Sequence, residues 1–210
     1  MGIVIDLRAR RPAGAAICAA DIDFYFDLGC AFSYLAAERV ERCLGEVRWL
    51  AVSLCADQLV DGAGGQGVAG RRTSERRAAE RRAAELRLPL SWPERLPVQT
   101  LAAHRVASMA SELHAASRFA LAAFRLAFAG GFDLSDPEVL LEAAAAAGIS
   151  SGQALAAAED PSRDGQLLMR GARLRADGVS RLPAMRVRGR WLEGEGSLPQ
   201  AALLVRGRAS

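Results

Sequence analysis

The sequence predicts an α/β protein whose sheet-forming segments lie at the two ends of the chain, with a long all-helical stretch between them. Three observations predict it. A strand–helix–strand pattern fills residues 22 to 54, helical periodicity prevails from 71 to about 177, and a strand–turn–strand–helix pattern runs from 182 to 205.

Ile22 to Phe26 is a short apolar and aromatic run, as a buried strand requires. Ala31 to Leu44 follows as a helix, with Phe32, Ala36, Val40 and Cys43 recurring on one face, and Gly45 is placed to end it as a left-handed cap residue. Val47 to Leu54 alternates and is β-branched enough for a second strand, which the intervening helix brings back parallel to the first. Asp61 to Gly70 is glycine-rich without periodicity and reads as a flexible loop; its glycines do not fit a nucleotide-binding fingerprint.

From Arg71 to Arg87 the unit Glu-Arg-Arg-Ala-Ala repeats every five residues, which predicts an exposed helix laced by arginine–glutamate pairs. Its surplus of arginines reads as a solvated face, with an anion-binding surface as the other reading. Nucleic acid is not expected as a partner, because no aromatic residues are interleaved to stack on bases. Residues 88 to 97 form a proline-punctuated connector. Thr100 to Ala129 is helical, with room for a break near His114 to Ser117. Ser135-Asp-Pro-Glu opens another helix that Gly148 stops, Ser150 or Ser151 opens a short one, and Asp160-Pro161 opens the next, to about Asp177. Leu182 to Val187 and Trp191-Leu192 flank the turn Arg188-Gly189-Arg190 as a hairpin, and Leu198 to Val205 is a final amphipathic helix.

Composition removes several chemistries. All 27 basic residues are arginine, which excludes a lysine Schiff base, a pyridoxal anchor and a P-loop lysine. His104 and His114 lie ten residues apart on helical segments and turn away from each other, so no histidine metal site is expected; both read as solvated or hydrogen-bonded. Cysteines 18, 30, 43 and 55 show no C-x-x-C and no metal-ligand spacing. No apolar run approaches the ~20 residues of a membrane span, and a soluble cytoplasmic protein with reduced thiols is expected.

The segment Phe24-Tyr-Phe-Asp-Leu-Gly-Cys30-Ala-Phe-Ser33-Tyr-Leu35 carries the candidate chemistry. Cys30 falls at a helix N-terminus, where unpaired backbone N–H groups favour a thiolate. Ser33 is the third residue after it, so the layout Cys-x-x-Ser lacks the second sulfur of a dithiol pair and points to thiol or glutathione chemistry. Phe32 and Tyr34 are expected to line an apolar substrate pocket.

The order β-α-β, helical insertion, β-β-α is that of a thioredoxin fold divided by a helical domain. On that reading residues 21–56 and 178–206 form the thioredoxin-like domain, 57–177 the insertion and 1–20 an N-terminal extension. The residues resemble the DsbA-like thioredoxin superfamily, and within it the branch of 2-hydroxychromene-2-carboxylate isomerase and kappa-class glutathione transferase. The Phe-Tyr-Phe-Asp strand, the Tyr34-Leu35-Ala36 helix start, the Leu-Pro-Leu…Trp-Pro…Leu-Pro connector, the Leu134-Ser-Asp-Pro-Glu-Val start, the Ala157-Ala-Glu-Asp-Pro161 turn and the Gly178-Val…Leu-Pro183 approach carry the likeness.

The resemblance implies an active-site loop at Cys30, where that branch has Ser-Pro-Tyr and the disulfide-forming relatives have Cys-x-x-Cys. It also implies a cis-proline at Pro183, with Leu182 offering its N–H and C=O to a peptide-like ligand such as glutathione. Gly196 and Ser197 stand where relatives hold the γ-glutamyl end with a carboxylate and a basic residue, and Glu193 and Glu195 place negative charge nearby. Arg71 or Arg72 stands in for a lysine of the family's insertion. The implied function is a glutathione- or thiol-dependent isomerase, transferase or oxidoreductase acting on a small hydrophobic or aromatic electrophile, glutathione serving as co-substrate. The alternative is a degenerate member that binds a ligand or partner without turnover. A homodimer is also implied. Three readings of Cys30 stay open: a reactive thiol, a serine substitute facing the glutathione sulfur, or a structural residue. Cys18, Cys43 and Cys55 read as structural.

Overall fold

The computed structural model describes residues 22–53, 66–93 and 100–207, with the side chains of 66–72 excepted. The expected extension 1–20, Cys18, Cys55 and the side chains of Arg71 and Arg72 lie outside the described residues.

The first strand, β1 (Ile22–Phe26), runs into helix α1 (Ala31–Leu44), and both sit where the periodicity places them. Gly45 ends α1 at φ 82°, a backbone angle that a side chain disfavours. Strand β2 (Arg48–Ala51) pairs parallel with β1, Asp23 opposite Arg48. It is shorter than the expected Val47–Leu54. Strands β3 (Ala184–Val187) and β4 (Arg190–Glu193) form the hairpin, its turn at Arg188 and Gly189, both with positive φ. The sheet order β2-β1-β3-β4, with β3 antiparallel to β1, is the thioredoxin arrangement.

Between the two halves lie α2 (Gln66–Leu86), α3 (Leu101–Glu112), α4 (Ala116–Phe124, continued by a π turn over Arg125–Ala129), α5 (Pro137–Ala146), α6 (Ser151–Glu159) and α7 (Asp164–Ala176). The chain ends in α8 (Leu198–Arg206). The loop expected through Gly70 is corrected: helix α2 already begins at Gln66. Each helical glycine costs only about 1 kcal/mol, which a long helix absorbs once nucleated. The break between α3 and α4 falls at His114, held at φ 54°. Asp136, one residue later than the expected Ser135, caps α5 by accepting from the Glu138 N–H. Ser150 and Gln153 close a capping box on α6.

One apolar core runs from the sheet into the insertion. Phe26 meets Phe124 edge-on at 5.8 Å, and Tyr34 stacks on Phe128 at 5.9 Å, so α1 and α4 share the aromatic layer beneath β1. The opposite sheet face packs Val52 and Ala184 against Leu174 and Val179. No described helix is long and apolar enough to cross a membrane.

Candidate active site

β1 delivers a short loop, Asp27 to Cys30, to the start of α1, and Cys30 stands at the N-cap position. The loop closes on itself: the Cys30 N–H donates to the Asp27 carbonyl at 3.0 Å, and the Gly29 N–H donates to Asp27 Oδ1 at 2.7 Å. Ser33 is fully buried under it, its Oγ accepting from the Asp27 N–H at 3.3 Å. Ser33 therefore braces the loop from inside.

Across from the thiol, the Leu182–Pro183 peptide bond is cis, and Cys30 Sγ–H donates to the Leu182 carbonyl at 3.8 Å. Together these groups form the floor of a cleft of about 860 Å³. Phe32, the β4–α8 segment with Gly196 and Ser197, and the α2 residues Ala78, Arg81 and Arg82 complete its walls. Among the described residues no cluster of histidine, cysteine and carboxylate groups has the form of a metal site.

Burial pushes the Cys30 thiol above its ordinary range, and the Asp27 charge adds to this. The N–H groups and hydroxyl of the first helical turn, at Ser33 and Phe32, pull it down but do not win. The thiolate expected from helix-start placement is thus overruled by desolvation, which disfavours charge in a crowded site.

A family model for the DSBA-like thioredoxin domain matches residues 21–205. The chain belongs to that family. Among solved structures, this DSBA-like chain is similar to 2-hydroxychromene-2-carboxylate isomerase, at TM-score 0.71 and 16% identity, over 84% of this chain and 90% of that one. It is similar to a probable DsbA oxidoreductase from Streptomyces coelicolor at TM-score 0.64 and 18% identity, over 90% and 91% of the two chains. A candidate protein disulfide isomerase from Nitrosomonas europaea gives TM-score 0.67 at 16% identity, over 89% and 98%. A search of curated proteins finds no sequence match. At these identities the neighbours establish the fold.

Within this DSBA-like site, one expected residue lands elsewhere and others reach the cleft already engaged within the protein. Tyr34 is not on the cleft wall: it lies 1% exposed between Phe124 and Phe128, with its hydroxyl donating to the Pro89 carbonyl at 2.9 Å. Its ring packs into the aromatic layer with Phe124 and Phe128 rather than toward the opening. Burial, and then the nearby Glu38 charge, push its phenol up to about 12. Ser197 reaches the cleft, but both its N–H and its hydroxyl donate to the Gly194 carbonyl, at 3.2 and 2.8 Å. Those donors are already spent within the protein.

The negative charge expected at Glu193 and Glu195 is also taken up internally. Glu193 accepts from the N–H groups of Ser180 and Arg181; burial pushes its carboxyl up, but these donors outweigh it and hold the group below the usual range. Glu195, 3% exposed, is clasped by Arg39 of α1 and by Arg82 of α2, whose Nε donates to Oε2 at 2.6 Å. The reading of α2 as a wholly solvated face is therefore corrected. Ala79 and Ala83 are buried and Arg82 turns inward, because only an arginine stem reaches from that helix to the buried carboxylate.

Two site residues escaped the sequence reading. Asp27 was legible only as the end of a strand. His104 lies on α3, 76 positions beyond the loop residue it bonds. Its signal was present as a histidine on the apolar face with Ala103, Val106 and Ala107, since a histidine in that setting needs a buried partner. Cys43 is partly buried against the core, as a structural cysteine would be, and His114 is exposed.

Proposed function

We propose that this DSBA-like protein is a glutathione-dependent isomerase or transferase for a small hydrophobic electrophile, with Cys30 acting as an S–H donor to the glutathione sulfur. The observation that carries this reading is a thiol on the cleft floor, facing the Leu182 carbonyl beside cis-Pro183, with Ser33 where a second sulfur would have to be. An S–H held at Leu182 can be redirected to an incoming sulfur, as a serine hydroxyl would be.

Glutathione carries two carboxylates and one ammonium. Arg81, Arg181 and Glu75 line the cleft, the Arg181 charge also acting on Glu193. Two cations and one anion of this kind match that charge pattern, and they stand in for the spent donors of Ser197. Bound there, glutathione would supply a nucleophilic sulfur able to add reversibly to a conjugated carbon. Cys30 would stabilise its thiolate, Leu182 would pair with its backbone, and Phe32 would flank the electrophile.

Thermal melting with and without reduced glutathione tests the proposal. Ligand at a hundred times its Kd stabilises by about 2.7 kcal/mol, a rise of roughly 5–10 °C for a chain of this size. Cys30→Ser should keep most of the rise and Cys30→Ala should lose it. No rise in the wild type, with Cys30 alkylation indifferent to glutathione, would refute the proposal.

A second reading, binding without turnover, is favoured by one observation: the β4–α8 polar groups are occupied internally, the Ser197 hydroxyl by the Gly194 carbonyl and the Glu195 carboxylate by two arginines. Retention of a ligand with no isomerase, transferase or thiol-exchange activity toward a panel of conjugated carbonyls and disulfides would support it.

A further inference from the structure

The sheet face turned away from α1 carries a cluster of charge that the chemistry above does not use. Strand register sets Arg48 of β2 and Arg186 of β3 on either side of Asp23 of β1, with Trp191 of β4 opposite Arg186. Residues paired across strands point to the same face, so these four side chains form one row. Tyr25 stands on that face two residues further along β1, its ring 5.2 Å from that of Trp191. Helix α7 packs Leu174 on the same face and brings Arg170, which donates to the Ala51 carbonyl at 3.3 Å. The Cys30 cleft is lined by other residues.

We propose that Arg48, Arg170 and Arg186 form a phosphate-binding site around the hydroxyl end of Tyr25. The inference stands apart from any role of Cys30. The three guanidinia arrive from β2, α7 and β3, and their charges converge on Tyr25: those of Arg48 and Arg186 act on its phenol, and the phenol acts on Arg170. Asp23 is the carboxylate of the row, and it is occupied. Its Oδ1 accepts from Arg48 Nε at 2.8 Å and its Oδ2 from the Tyr25 hydroxyl at 3.3 Å. Three cations thus share one anion.

The other two arginines are half-buried and short of acceptors. Arg186 lies over the Trp191 ring, 5.6 Å from its centroid, and its Nε is buried with no hydrogen-bond partner among the described residues. A buried donor in that state has given up water without a replacement. Arg170 has its hydrogen bond to a backbone oxygen, and burial pulls its guanidinium below the ordinary range, the Arg48 charge adding to this. Glu112, whose charge also reaches Arg170, is bound to Arg163 at 2.8 Å, and Glu193 of the next row is held by the N–H groups of Ser180 and Arg181. A carboxylate ligand presents its oxygens in one plane. A phosphate presents acceptors in several directions, which suits guanidinia arriving from three elements.

Isothermal titration of the full chain with sodium phosphate tests this, against sodium chloride at matched ionic strength, because exposed arginines attract any anion. The variants are Arg170→Gln, Arg186→Gln, Arg190→Gln as an exposed arginine of β4, and the double variant R81Q/R181Q in the cleft. A cooperative melt establishes that each is folded. Phosphate should bind the wild type, and Arg170→Gln and Arg186→Gln should each weaken it by about tenfold or more, the effect of losing a charge-assisted hydrogen bond. Arg190→Gln and the cleft variant should stay within about twofold of wild type, since a distant charge is largely screened. Phenyl phosphate separates two sources of the same group. Tighter binding than inorganic phosphate assigns the site to a phosphorylated aromatic molecule resting against Tyr25 and Trp191; equal or weaker binding assigns it to free phosphate. Should one of the two site variants not fold, the other decides. The proposal is overturned by a wild type that shows no binding above the chloride blank, or by an affinity unchanged in Arg170→Gln and Arg186→Gln. A loss as large in Arg190→Gln, or one confined to the cleft variant, overturns it as well.

Discussion

Glu195→Gln should loosen the helix that walls the cleft. The wild-type carboxylate has 2% of its side chain exposed and binds Arg39 and Arg82, so it joins α2 of the insertion to α1 of the thioredoxin half. Deleting one partner from a buried ion pair typically costs about 3–5 kcal/mol, mostly the penalty of stranding the remaining charge. Here the stranded guanidinia keep 19% and 30% exposure, and Arg82 retains Glu85 at 2.8 Å, so water and the second carboxylate recover part of that. A net loss of about 2–3 kcal/mol remains, which at roughly 2–4 °C per kcal/mol lowers Tm by about 5–10 °C. Calorimetric melting of wild type, E195Q, R82M and the double variant measures both the loss and the coupling between the two residues. A variant E195Q that melts within about 1 °C of wild type, or a cycle with no coupling, would refute the view that this charge cluster anchors α2.

Two further outcomes are expected. Phe124→Ala removes a fully buried ring in contact with Phe26, Tyr34 and Phe128, and urea unfolding should show a loss of about 3–5 kcal/mol; a loss under 1 kcal/mol would mean that the sheet and insertion do not share a core. Asp164 is held below the usual carboxylate range by its hydrogen bonds to Arg105, at 2.7 and 2.6 Å. A depressed folded pKa contributes stability above the unfolded value of about 3.9 that is lost as pH falls through the folded one. Wild type should therefore exceed Asp164→Asn by about 1 kcal/mol at pH 6, with the gap closing on acidification; a gap independent of pH would contradict this.

Local rules carried much of the fold. The boundaries of β1 and α1, the stop at Gly45, the capped starts near Asp136 and Ser150 and the Arg188-Gly189 turn each depend on neighbours a few residues apart, so they were readable one segment at a time. The site was legible only along its own loop. Cys30 stood out because a helix start has a local signature, whereas Pro183 was reached only through the family resemblance. Tyr34 was misplaced because a helix periodicity gives the angle between side chains, not which neighbour covers each face. The arginine repeat of α2 gave a pattern of charge without its partner, Glu195, 113 positions away.

The sequence by itself determined the element order, the family and the position of a lone cysteine at the head of α1, since backbone preferences and short-range hydrogen bonds decide these. Only the tertiary structure decided the state of that cysteine. The helix start favours a thiolate, but burial and the Asp27 charge push the thiol up. Desolvation and charge depend on everything packed around a group, and for this cysteine that includes Leu182, 152 positions away.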